Sequence, residues 1–182
     1  MKRVRDFDGG LYYKMSKSNP DVAKLCYEGH YIEYAYNTIV RSRNHYLSFV
    51  RGENIISCVS YGDQLTEIIL DPMHPLYDQI ADAEMQTVPS GLGELRSKAV
   101  IAGKSYSLSE PDTIQKIIGM TPEPKLKLIA ETDSLNYYNS VARHLKKLGF
   151  YRSLDFWNSR MEEYKRLTWQ EIDQRVLEKN IF

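Results

Sequence analysis

The most clearly patterned stretch of the chain is residues 124–151, PKLKLIAETDSLNYYNSVARHLKKLGFY. Residues 125–130 read as a buried strand, and Thr132-Asp133-Ser134 read as a polar turn. After the turn, Tyr138, Val141, Ala142, Leu145 and Leu148 recur at helical spacing on one face. Arg143, Lys146 and Lys147 lie off that face and complement the negative end of the helix dipole. Asp133 or Ser134 suits the start of this helix, and Gly149 suits the left-handed residue just past its end.

Elsewhere the pattern predicts shorter elements. The first 15 residues alternate loosely around the turn Asp8-Gly9-Gly10, which gives a short strand or hairpin. Asn19-Pro20 opens a helix whose apolar spacing runs through Val22, Leu25 and Cys26 to Val40, with Gly29 as a point of division. Residues 46–50 and 55–61 read as two apolar strands joined by Arg51-Gly52-Glu53-Asn54. A further strand is expected over 66–70, and two prolines exclude regular structure over 71–75. Residues 76–85 have helical spacing, 89–93 form a loop, and 97–107 read as a strand or hairpin interrupted by Gly103. Ser109-Glu110-Pro111-Asp112 starts a helix through Ile114, Ile117 and Ile118 that Gly119 ends. For residues 150–167 two readings stand. Leu154, Trp157, Met161, Tyr164 and Leu167 have helical spacing, whereas Asn158-Ser159-Arg160 would turn a hairpin, the preferred reading. Thr168-Trp169-Gln170-Glu171 is a capping box that opens a final helix.

Composition narrows the class. A chain of 182 residues suits one domain, here an α/β domain over 1–167 with a C-terminal helix over 168–182 appended to it. Lysine and arginine total 24, as do aspartate and glutamate, so no net positive charge marks a nucleic-acid partner. No apolar run approaches the ~20 residues of a membrane span. Met1-Lys2-Arg3-Val4-Arg5 is not followed by the apolar segment of a secretory signal. The expected location is the cytoplasm or a virion, without secretion. Cys26 and Cys58 are expected to be free and reduced. The 14 tyrosines include Tyr12-Tyr13 and the set Tyr31, Tyr34 and Tyr36, read as half-buried core with a contact surface as the alternative.

Candidate chemistry is sparse. Cys26 and His30 are four apart, a spacing that would share one helix face, but no further ligands join them into a metal site. His45, His74 and His144 fall in unlike contexts, and Cys58 reads as core. Glu67, Asp71 and Glu84 lie near strand ends where a general base would be useful, each also readable as a solvated surface charge. Arg143, Lys146 and Lys147 form a small basic face.

The element order and two segments resemble the GCN5-related N-acetyltransferases. Residues 46–61, YLSFVRGENIISCVSY, look like the family's second and third strands. Residues 125–150, closing on His144-Leu145-Lys146-Lys147-Leu148-Gly149-Phe150, look like its fifth strand and fourth helix, which commonly ends in LYEKLGF. The resemblance implies a mixed, mainly antiparallel central sheet flanked by helices. It also implies a glycine loop at a helix start that holds the pyrophosphate of acetyl-CoA on backbone N–H groups. Ser109-Glu110-Pro111-Asp112 stands at that place, with no glycine and two carboxylates. The nearest alternative is Gly91-Leu92-Gly93-Glu94-Leu95-Arg96, so the resemblance marks Gly91, Gly93 and Arg96, with Asn139, as the residues for acetyl-CoA. The family's usual acidic tyrosine is replaced by Leu145, and no catalytic residue is assigned. In what it lacks, the chain is similar to the acetyltransferase-like internal virion proteins of T7-type phages. That implies a non-catalytic structural or interaction protein with protein partners and no cofactor. The alternative is an acetyl-CoA-dependent N-acetyltransferase acting on an amine by direct attack.

Overall fold

A computed structural model describes residues 2–27, 29–132 and 140–179. In chain order its elements are β1 (Lys2–Arg3), β2 (Leu11–Ser16), α1 (Pro20–Ala23), β3 (Thr38–Arg41), β4 (Leu47–Phe49) and a ten-residue 3-10 segment, Gly52–Tyr61. They continue with β5 (Gln64–Ile69), a 3-10 turn at Tyr77–Gln79, β6 (Glu84–Thr87), β7 (Leu95–Ser97) and β8 (Ala99–Ser107). Four helices complete the order: α2 (Pro111–Met120), α3 (Glu123–Thr132), α4 (Val141–Leu148) and α5 (Tyr151–Lys179).

The strands form two four-stranded sheets, β1-β6-β7-β4 and β2-β5-β8-β3, in which every pairing is antiparallel. Lys98 alone separates β7 from β8, so one length of chain serves both sheets. A second link is the pair Tyr13 and Val50, which exchange backbone hydrogen bonds of 2.8 and 2.9 Å. Tyr12, Phe49, Ile68, Leu70, Met85 and Ile101 fill a core shared by the two sheets. Tyr13, Met15, Leu65 and Leu108 contribute instead to a second core with the helices, built on Ile114, Ile117, Leu126, Leu145 and Trp157. Successive strand residues alternate between faces, so Tyr12 and Tyr13 serve different cores. Gly103 neither interrupts the strand nor turns a hairpin, since β8 runs unbroken from Ala99 to Ser107, but it marks an irregularity. The β5–β8 register shifts there, and a Cβ on Gly103 would lie 2.7 Å from the Glu67 Cβ.

The helix at 141–148 keeps the expected glycine stop but is capped at Ser140, and His144 joins Val141 and Leu145 on its buried face. Ser140 caps it by accepting from the Arg143 N–H at 3.3 Å, and Gly149 is left-handed at φ 74. The Phe150 N–H then returns to the Leu145 carbonyl at 2.9 Å, closing the helix end. The expected caps Asp133 and Ser134 lie outside the described residues.

Several expectations are corrected. Residues 125–130 are not a strand but the body of α3. The alternation Lys-Leu-Lys-Leu is too short to decide the period, and Leu126 and Ala130 are buried four apart while Leu128 stays exposed. Residues 55–61 are helical as well. Ile55, Ile56 and Val59 are the buried set there, a one-sided spacing that an apolar, β-branched run conceals. The helix from Pro20 lasts one turn before the chain turns irregular and enters β3, although Asn19 caps it as expected through the Asp21 and Val22 N–H groups. Residues 76–85 give only the turn at Tyr77–Gln79 and the start of β6. Gly119 lies inside α2 rather than ending it. No hairpin forms over 150–167, because α5 is continuous and buries Trp157 and Met161 against the helical core. The expected boundary at 167/168 falls within that helix. Thr168 donates its hydroxyl to the Tyr164 carbonyl at 2.9 Å instead of capping a new one.

Candidate functional site

Beyond the Tyr13–Val50 pair, β2 and β4 part, and a cleft of about 670 Å³ opens between them. Alternate residues of a strand direct their N–H and C=O groups to the same side. Met15 and Ser48, two residues along from the bridging pair, therefore turn their backbone groups toward the cleft. The Ser48 carbonyl accepts from Lys14 Nζ at 3.0 Å. Leu47, Phe49, Val50 and Ile55 give the cleft an apolar floor.

The rim is polar. Lys17 Nζ donates to the His30 carbonyl at 2.8 Å and ties that segment over β2. The His30 and His45 rings stack with centroids 5.6 Å apart. Arg96 Nε donates to Glu94 Oε1 at 2.9 Å. Lys14 Nζ stands 5.8 Å from the centre of the Tyr34 ring. The ring of Tyr34 lines the cleft, yet its hydroxyl oxygen is shut away from solvent with no hydrogen-bond partner among the described residues. Burial pushes the Tyr34 pKa well above the ordinary phenol value. Cys58, half-buried in the cleft wall, has its thiol pushed up to about 11, chiefly by burial and secondarily by the Glu94 charge. Such a thiol stays protonated and is a poor nucleophile.

Three of the residues marked through the resemblance can be placed. Gly91 and Gly93 have φ of 71 and 60, in the loop that joins β6 to β7. That loop closes through the Val88 N–H to the Glu94 carbonyl at 2.9 Å, so the turn itself accounts for both glycines. Arg96 reaches the cleft from β7, and Leu92 and Glu94 line it too, which brings the glycine loop to the rim. Asn139 lies outside the described residues.

The other candidates scatter. Glu67 is not a solvated charge. It accepts from the Tyr106 hydroxyl at 3.0 Å and the Lys104 N–H at 3.2 Å, and pairs with Lys116 at 3.3 Å. Glu84 accepts from the Tyr46 hydroxyl, which holds its carboxyl below the usual range. Asp71 is exposed and accepts from the Met73 N–H at 2.9 Å. Cys26 is buried and His30 exposed, on irregular chain after α1, so no helix face joins them. His74 accepts from the Leu76 N–H at 3.2 Å. His144 is buried, donating from Nε2 to the Gly62 carbonyl at 2.7 Å. Leu145 is fully buried in the helical core. Lys146 and Lys147 occupy the last turn of α4, as the dipole argument requires. Among the described residues no three His, Cys, Asp or Glu side chains group as metal ligands, and no helix is long and apolar enough to cross a membrane.

Sequence reasoning missed Lys14 and Tyr34. Lys14 did carry a signal, a lone charge within the strand sequence Leu-Tyr-Tyr-Lys-Met-Ser. Tyr34 stands out only as one of the set Tyr31, Tyr34 and Tyr36, read as half-buried core or contact surface, and not as a partner of Lys14. Compared with known proteins, the chain matches no family model, no curated protein and no solved structure.

Proposed function

We propose that the chain is a non-catalytic structural or interaction protein, with other proteins as its partners, as the similarity to internal virion proteins of tailed phages implies. One observation carries this reading. On the last turns of α5, Trp169 and Ile172 are 65% and 43% exposed, three residues apart on one helix face. The Lys127 Nζ to Glu171 pair at 2.7 Å holds this end of the helix against α3, so the apolar pair is presented on an anchored helix. Large apolar side chains gathered on one exposed face are the ordinary mark of a contact surface. The acyltransferase alternative draws less support, since its expected cofactor strand at 125–130 is helical and Leu145 is packed in the core.

Thermal melting with acetyl-CoA tests the choice. A ligand with a dissociation constant of about 10 µM adds about 2.7 kcal/mol of stability at about 1 mM. No upshift is expected, and a clear one overturns the non-catalytic reading. For the contact surface, the double variant Trp169→Asp with Ile172→Asp should melt at the parent's temperature. It should also fail to co-sediment with particles that retain the parent chain; equal retention refutes the role of α5.

A further inference from the structure

β2 and β4 are both edge strands, β2 at the end of the sheet β2-β5-β8-β3 and β4 at the end of β1-β6-β7-β4. They face each other across the cleft, and among the described residues the Tyr13–Val50 bridge is the one backbone pairing that joins them. Hydrogen bonds on their outer sides fix which groups turn inward. At the two ends of β2, the Gly10 and Ser16 carbonyls accept from the Leu70 and Asp63 N–H groups, each at 3.0 Å, so even-numbered residues are turned to β5. Tyr13 and Met15 are thereby turned to β4. Between β6 and β7, the Val88 N–H donates to the Glu94 carbonyl at 2.9 Å and the Lys98 N–H to the Glu84 carbonyl at 3.0 Å. Leu95 and Ser97 are therefore turned to β4, where Phe49 and Leu47 pair with them, and Ser48 is left turned to β2. The Ser48 carbonyl already accepts from Lys14 Nζ. The N–H and carbonyl of Met15 and the N–H of Ser48 face the cleft, where no strand meets them.

An open sheet edge is a template for another strand, and extended main chain is the ligand class whose donors and acceptors recur at the spacing of such an edge. A helix satisfies its own backbone groups and leaves Met15 unpaired. The walls add a side-chain requirement. Ile55, in the helical core with Met15, lines the cleft on one side, while Leu47 and Phe49, in the core shared by the sheets, line it on the other. We propose that the cleft takes an extended segment of a partner protein, added antiparallel to β2, one residue of which exchanges both main-chain hydrogen bonds with Met15. That residue is apolar and rests toward Ile55, because side chains of paired residues share a face. Its neighbours turn theirs toward Leu47 and Phe49. This site involves neither Trp169 nor Ile172, and it does not depend on whether α5 carries partners.

The probes are acetylated, amidated pentapeptides Thr-Thr-X-Thr-Thr in which X is valine, leucine, phenylalanine or aspartate, each titrated into the full-length chain while backbone amide resonances are followed. At least one apolar member should saturate below about 2 mM, move the Met15 amide and slow its hydrogen exchange. The aspartate member should bind at least about tenfold more weakly, since its charge is brought against apolar walls. Replacing X of the best member by its N-methyl counterpart keeps the side chain and removes the N–H meant for the Met15 carbonyl. That change should also weaken binding at least about tenfold, whereas side-chain binding alone leaves it untouched. The proposal is overturned if, at about 2 mM, the apolar members move no amide or only amides away from β2 and β4. It is equally overturned if the aspartate member or the N-methylated peptide binds as tightly as the best apolar one.

Discussion

Gly62 sits where the end of the 3-10 segment crosses β2, and replacing it by alanine separates crowding from backbone strain. Its φ of −163 is open to any residue, so strain contributes nothing. Space is the difficulty. An alanine Cβ would lie 2.1 Å from the Ser16 carbonyl oxygen, 2.8 Å from its carbon and 2.9 Å from the Met15 carbonyl carbon. Ordinary contact requires the two backbones to part by about 1 Å, and core overpacking of this kind costs about 1–3 kcal/mol. The movement also strains two hydrogen bonds that pin the crossing. One runs from the Asp63 N–H to the Ser16 carbonyl at 3.0 Å, the other from His144 Nε2 to the Gly62 carbonyl at 2.7 Å. Each is worth about 0.5–1.5 kcal/mol. The stiffer unfolded chain returns about 0.4–1 kcal/mol.

The expected net loss is therefore about 3 kcal/mol, or about 6–12 °C in melting temperature for a domain of this size. Scanning calorimetry and urea titration of Gly62→Ala both read it. Gly119→Ala is the control, since a Cβ at this helical position meets nothing within 4 Å. That variant should gain about 0.5–1 kcal/mol from helix propensity alone. If Gly62→Ala melts within about 1 °C of the parent, the crossing is looser than described and the crowding argument fails.

Three further outcomes are expected. Leu145→Ala should cost about 2–5 kcal/mol in urea unfolding, because Leu145 is fully buried in the helical core; an unchanged midpoint would contradict its packing role. His144 has its pKa lowered by burial, so below about pH 6.5 the unfolded chain takes up a proton that the folded chain resists. Stability should thus hold above that pH and decline below it, and His144→Gln should remove that part of the decline in denaturant titrations from about pH 7.5 to 5. In a Cys26→Ser background, Cys58 should react with iodoacetamide near pH 8 about a hundredfold more slowly than the unfolded chain, since its thiol is raised from 9.0 to about 11. A rate equal to that of the unfolded chain refutes its burial.

Where local chemistry decides the structure, the sequence was legible. Asn19 and Pro20 start a helix, Gly149 ends one, and Gly103 marks a register shift within β8, because capping, left-handed geometry and close approach each demand those residue types. Where tertiary packing decides, it was not. Residues 125–130 carry a strand-like alternation, but the neighbouring α5 offers Leu126 and Ala130 a surface four residues apart, and the helix follows. The same surface settles 150–167, where Trp157 and Met161 gain burial that a hairpin would forgo. Residues 55–61 show the limit most plainly, since β-branched content favours a strand while the positions buried are those of one helical side.

The site divides along the same line. Glycine with a neighbouring arginine suggests a phosphate loop by type, yet Gly91 and Gly93 are explained by a hairpin turn with positive φ. What brings their loop to a cleft is the pairing of β6, β7 and β4, a long-range fact that residue type does not encode. The opposite wall is set by where β2 and β4 stop pairing, after Tyr13 and Val50, and no local signal marks that point. Lys14 and Tyr34 meet across 20 residues of sequence only because the chain after α1 turns back over β2, tied there by Lys17. A buried hydroxyl without a partner is a cost that neither propensity nor pattern predicts, and it becomes visible only once the surroundings are complete. Set against the acetyltransferase resemblance, Leu145 and the carboxylates Glu110 and Asp112 at the start of α2 already departed from what that chemistry implies. The cleft is a different matter, because the residues that line it come from separated stretches of chain, and no one of those stretches announces the meeting.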